Sequence, residues 1–113
     1  MRPPDIQSET LSSDGLVWTF RVPEDLPFFR GHFPGHPILP GVVALSWMLA
    51  GAERLLGRAV QAAELLNVKF QVVVLPGTEV ELSIVPKSGG RLQGTIRSQA
   101  GIHASALIPG QEA

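Results

Sequence analysis

The chain has no cysteine among its 113 residues. Disulfides and thiolate chemistry are therefore excluded, and a reducing compartment is compatible with the sequence. Charge is also scarce. Only 17% of residues are charged, the formal net charge is -1, and no basic run occurs. Nucleic-acid binding thus lacks its main electrostatic driving term. The first ten residues, MRPPDIQSET, contain no apolar core segment, so no secretory signal is visible. The longest apolar stretch, Pro40 to Ala52, is too short to span a bilayer and ends at Glu53 and Arg54. No membrane insertion is expected, and the default location is the cytoplasm.

What is present is ordinary globular material, with 44% hydrophobic residues. This length gives one domain, residues 1–113, with a core that needs no disulfide or metal staple. Residues 1–15 read as a weakly structured leading segment. From Leu16 to Val22 the apolar residues alternate, with Leu16, Trp18, Phe20 and Val22 on one face, which predicts a strand. Pro23 to Pro40 holds five prolines and two glycines, so it cannot be regular structure. It also carries Phe28, Phe29 and Phe33, and a long loop this apolar lies against something.

Pro40 opens a helix that runs to about Leu56, with Gly57 as its stop. Val42 to Leu49 leaves almost no polar face, which predicts an enclosed helix. Four strands follow: Leu65 to Leu75, Thr78 to Val85, Arg91 to Ser98, and Ile102 to Ile108. Short turns between consecutive strands imply an antiparallel sheet, and the economical α+β architecture curls it around the one apolar helix. One helix cannot cover such a sheet, so a partner sheet or subunit is expected.

The stretch FFRGHFPGHPILPGVVALSWM, Phe28 to Met48, resembles the active-site segment of bacterial 3-hydroxyacyl-acyl-carrier-protein dehydratases of the FabZ and FabA type. The matching residues are Gly31-His32-Phe33-Pro34, Pro37, and Pro40-Gly41-Val42 leading into the helix. A second block, Asn67-Val68-Lys69-Phe70 followed by Pro76-Gly77, matches downstream. The Ser46-Trp47 pair further resembles an aryl-polyene-pathway (ApeI-like) subgroup, which carries Asp-Trp there.

The resemblance implies a hot-dog fold, with an antiparallel sheet wrapped around one long helix, and a dimer with two active sites at the subunit interface. The assembly is expected as a homodimer or higher homo-oligomer, or a heterodimer with a paralogue. The substrate is expected to be an acyl thioester carried on acyl carrier protein or CoA. No cofactor and no metal are implied. His32 would take the C2 proton, and the Gly41 N–H would bind the thioester oxygen. Phe33, Pro40, Val42 and Phe70 would contact the substrate. Physical chemistry favours the same roles. Orphan N–H groups at a helix start are aimed donors for a developing oxyanion, glycine admits close approach, and histidine suits proton abstraction near neutrality.

One departure matters. The family places a carboxylate fourteen residues after the catalytic histidine, where this chain has Ser46. A serine hydroxyl is far too weak an acid for that role. Positioned acid–base groups contribute about 10²–10⁴-fold. Glu53 lies seven residues further on, roughly 10 Å along the helix axis, which is too far. His32 and His36 cannot form a helical metal pair because Pro34, Gly35 and Pro37 forbid the helix. His36 and His103 are read as structural or solvated. The expected function is a dehydratase or hydratase. The alternatives are a non-catalytic or partner-dependent acyl-binding subunit and, third, a thioesterase.

Overall fold

The computed structural model describes residues 3–25 and 38–110. Elements run in the order β1 (Ile6–Ser12), β2 (Gly15–Arg21), α1 (Gly41–Leu56), β3 (Leu66–Phe70), β4 (Glu79–Pro86), β5 (Arg91–Ser98) and β6 (Gly101–Pro109). Short 3-10 turns lie at Ala62–Glu64 and Ser88–Gly90. The strands make one antiparallel sheet in the order β1-β2-β4-β5-β6-β3.

Helix α1 lies across this sheet, touching β2, β4, β5 and β6. The alternation that predicts β2 also explains its packing. Leu16, Trp18 and Phe20 turn inward and meet Val80, Leu82 and Ile84 of β4 in one core. From the helix come Val43, Ala44, Trp47, Met48, Ala50 and Ala52, all buried. Trp47 meets Phe20 edge to face, with centroids 5.4 Å apart at 89°, a favoured aromatic geometry. Its indole N–H has no hydrogen-bond partner among the described residues. Gly94 of β5 lies under Met48, whose sulfur fills the space a Cβ would take. The helix ends as expected, with Gly57 in the left-handed conformation at φ 73° donating to the Glu53 carbonyl.

Two expectations need correction. Residues 1–15 are not weakly structured throughout, because β1 occupies Ile6–Ser12 and pairs along β2. Its side chains are largely exposed and polar, so no apolar period announces it. It is held by backbone pairing and by Glu9. The Glu9 carboxylate accepts hydrogen bonds from the Trp18 indole N–H at 2.9 Å and from Arg54 of the helix at 3.1 and 3.3 Å. The apolar run Leu65 to Leu75 is also not one strand. It leaves the ladder after Phe70 and, among the described residues, pairs only with β6, so β3 is the edge of the described sheet. A bulge at Asn67, whose φ is 50°, shifts its register. No helix among the described residues is long and apolar enough to cross a membrane.

Candidate functional site

Pro40 gives the chain an extended residue and carries no N–H, and Gly41 begins the helix behind it. The Pro40 carbonyl accepts from the Val43 and Ala44 N–H groups, at 3.0 and 3.3 Å. No described hydrogen bond reaches the N–H of Gly41 or Val42. No side chain among the described residues caps this end, and no acidic residue stands in the first turn. Among the described residues, a pair of orphan donors with the positive end of the helix dipole is thus left uncapped.

These donors border an apolar cavity of about 660 Å³. One wall is the chain entering the helix, from Ile38 through Val42, with Ala44 and Leu45 behind it. The other is the continuation of β3, from Phe70 to Val74, closed by His103 and Ala104 of β6. The walls are tied together by the Leu39 N–H, which donates to the Val74 carbonyl at 2.9 Å. Phe70 lies directly over Gly41. Three of its ring carbons stand 2.8, 2.9 and 3.3 Å from where a Gly41 Cβ would be. Only glycine permits that approach.

Four of the residues singled out in the sequence, Pro40, Gly41, Val42 and Phe70, come together at this cavity. Val42 and Phe70 are also open to solvent, at 75% and 55% exposure. Ser46 does not line the cavity. It is half-buried one turn further on, and its hydroxyl donates to the Val43 carbonyl of its own helix at 2.7 Å. Glu53 is likewise engaged elsewhere, accepting from the Val60 N–H at 2.8 Å. His32, Phe33 and His36 lie outside the described residues. No cluster of three or more metal-ligating side chains occurs among the described residues.

Sequence reasoning missed the second wall. Val72, Val73 and Val74 read as part of a strand, and His103 as structural or solvated. Yet all four line the cavity, with His103 only 3% exposed. A strand interrupted by the Asn67 bulge cannot keep its period, so the pattern gives no warning that the chain turns away after Phe70.

An antiparallel sheet wrapped on one helix, with the helix N-terminus at an apolar cavity, defines the class of hot-dog proteins. The comparisons with known proteins narrow this class. The model of the ApeI-like family, ApeI dehydratase, matches residues 7–106, and the chain belongs to that family. It is similar to the 3-hydroxyacyl-acyl-carrier-protein dehydratase FabZ of Geobacter metallireducens, at 33% identity over 85 residues. That match covers 67% of this chain and 57% of the relative. The FabZ of Oenococcus oeni is 30% identical over 112 residues, covering 93% of this chain and 76% of the relative. Among solved structures it resembles the dehydratase heterocomplex ApeI:P from Xenorhabdus doucetiae. The TM-score there is 0.81 at 25% identity, covering 96% of this chain and 97% of that one. The dehydratase domain of a mycocerosic acid synthase-like polyketide synthase shares the fold, with a TM-score of 0.76 at 20% identity. That match covers 99% of this chain and 41% of that one.

Proposed function

We propose that the chain, read as one domain over residues 1–113, is a subunit of a dehydratase or hydratase acting on 3-hydroxyacyl thioesters of acyl carrier protein or CoA. The observation that carries this reading is the Gly41 N–H at the mouth of the apolar cavity, uncapped among the described residues. The acyl chain enters the cavity and the thioester oxygen accepts from Gly41. His32 removes the C2 proton, and the electron pair moves to form the C2–C3 double bond. The C3–O bond breaks, and the oxygen leaves as water after taking a proton. The helix terminus stabilises the charge that builds on the thioester oxygen.

The source of the final proton decides between two forms of this reading. Ser46 is a weak acid whose hydroxyl is already bound to the Val43 carbonyl. That favours the partner-dependent form, in which a paralogous subunit supplies a carboxylate and this chain supplies His32 and Gly41. The structural relative from Xenorhabdus doucetiae is named as a heterocomplex, which agrees with such pairing. An interface along β3 is supported by its free edge and by exposed Leu66, Val68, Val73 and Leu75.

The test is a turnover assay with 3-hydroxyacyl and trans-2-enoyl thioesters, for this chain alone and mixed with candidate partner subunits. Turnover that needs a partner, and is lost with His32→Ala, is the expected result. If no mixture containing this chain turns over more than the partner alone, the enzyme reading fails.

A further inference from the structure

His103 has no role in the chemistry above, yet it is the most deeply buried ionisable side chain described, at 3% exposure. It sits where it does because of a bulge. Ile96 pairs with Ala104 and Arg97 with Ile102, so His103 is the extra residue of β6 with no partner on β5. A bulge re-aims one side chain off the pleat. Here the ring is aimed between the β5–β6 hairpin and the segment that follows β3. Its Nε2 is 2.6 Å from the Ser98 hydroxyl, and its Nδ1 is 3.0 Å from the Val72 carbonyl.

A carbonyl can only accept, so Nδ1 carries the proton and Nε2 accepts from Ser98. Ser98 in turn accepts from the Ala100 N–H at 3.1 Å. A chain of three hydrogen bonds thus runs from the hairpin through the imidazole to Val72. The His103 backbone acts on the same segment, its carbonyl accepting from the Gln71 N–H at 3.0 Å. Residues 71–75 lie outside the strand ladder, so these two bonds from His103 and the Leu39–Val74 bond fix their path. Residues 71–74 form one wall of the cavity, and the imidazole itself completes it.

We propose that His103 is a positioning residue that sets which acyl chains the cavity accepts, by fixing the wall of residues 71–74 through the Val72 carbonyl. The inference rests on the reading of this cavity as the acyl site. It requires the Nδ1 bond in particular, and the two nitrogens can be separated by substitution. The amide nitrogen of asparagine stands two bonds from Cβ, as Nδ1 does, and can keep the Val72 bond. That of glutamine stands three bonds away, as Nε2 does, and faces Ser98 instead.

Equilibrium binding of saturated acyl-pantetheine thioesters, from butyryl to dodecanoyl, reads the effect without any turnover. Calorimetry on the assembled full-length protein provides the affinities, and thermal midpoints are recorded beside them. His103→Asn and Ser98→Ala are expected to keep the wild-type order of affinities. His103→Gln is expected to change the ratio between the best chain and its neighbours by about three- to tenfold, the scale of one hydrogen bond. Should the glutamine protein not fold, His103→Leu takes its place, breaking both ties and leaving no polar group to bury. A folded Gln or Leu protein with the wild-type order overturns the proposal. So does an Asn or Ser98→Ala protein with an altered order. If the wild-type protein binds none of the series, the acyl-site reading itself fails and this inference with it.

Discussion

At the scale of the residue, the sharpest test concerns Ser46. Its hydroxyl is committed to the Val43 carbonyl, a back-bond within the helix that contributes little to stability. Replacing it costs little, and the half-exposed position tolerates a charged group. Ser46→Glu is therefore expected to fold. If the donor and base are intact, it should raise hydration of a trans-2-enoyl thioester by up to about 10²-fold, followed by loss of enoyl absorbance. His32→Ala in the same protein should abolish the gain. A folded Ser46→Glu protein with no gain counts against a dormant enzyme and leaves the partner-dependent form.

Gly41 and Phe70 make a second residue-scale test. An alanine methyl at position 41 would meet the Phe70 ring at 2.8 Å, and the half-exposed ring must move aside. Alanine is also the better helix former, by about 1 kcal/mol, so Gly41→Ala should shift the thermal midpoint only slightly. Turnover should nonetheless fall at least tenfold, because the methyl and the displaced ring crowd the thioester's place, an estimate of roughly 1.4 kcal/mol. Adding Phe70→Ala should recover part of the loss, a coupling a double-mutant cycle measures. Strict additivity of the two changes would show that the ring and the donor do not share a site.

At the scale of the element, the sequence was most legible where one periodicity ruled. The helix was readable to both ends because Pro40 and Gly57 punctuate an apolar run. Strands β2, β4, β5 and β6 alternate plainly and fall within a residue or so of their expected bounds. Legibility failed where local pattern does not decide. The polar residues of β1 become a strand because β2 offers an unpaired edge, and β3 ends early because Asn67 breaks its register. Of the site, Pro40, Gly41, Val42 and Phe70 could be singled out from their motif. His103 could not, since one histidine in an alternating strand shows no sign of a bulge. The fit between helix and sheet is testable through Gly94. A methyl there would sit 2.5 Å from the Met48 sulfur, so Gly94→Ala should destabilise the protein by about 1–3 kcal/mol through overpacking. Met48→Ala should relieve the clash while opening a cavity. The double variant should then be less unstable than the two single costs added, as read by denaturant midpoints.

At the scale of the whole molecule, the sheet is covered at its centre and bare at one side. All five residues of β3 are exposed, and Leu66, Val68 and Phe70 among them are large and apolar. The chain beyond continues the patch with exposed Val72, Val73 and Leu75. A free strand edge with apolar flanks is a template for another strand, and single chains usually blunt such an edge with charge or proline. Here Lys69 is the one charged residue on β3. The same segment forms the cavity wall, so whatever pairs with β3 also borders the site. Assembly and activity should therefore be lost together. Val68→Lys with Leu75→Lys places two charges on the proposed interface while leaving the helix, the cavity lining and the β3–β6 ladder alone. The double variant is expected to keep its circular-dichroism spectrum, to be monomeric by light scattering at micromolar concentration where the parent is expected to be a dimer, and to lose turnover. Raising the protein concentration should restore neither the dimer nor activity, because unpaired lysines buried at the interface oppose reassociation. A variant that stays dimeric and active would place the subunit interface elsewhere, and one that is monomeric yet fully active would show that each chain carries a complete site.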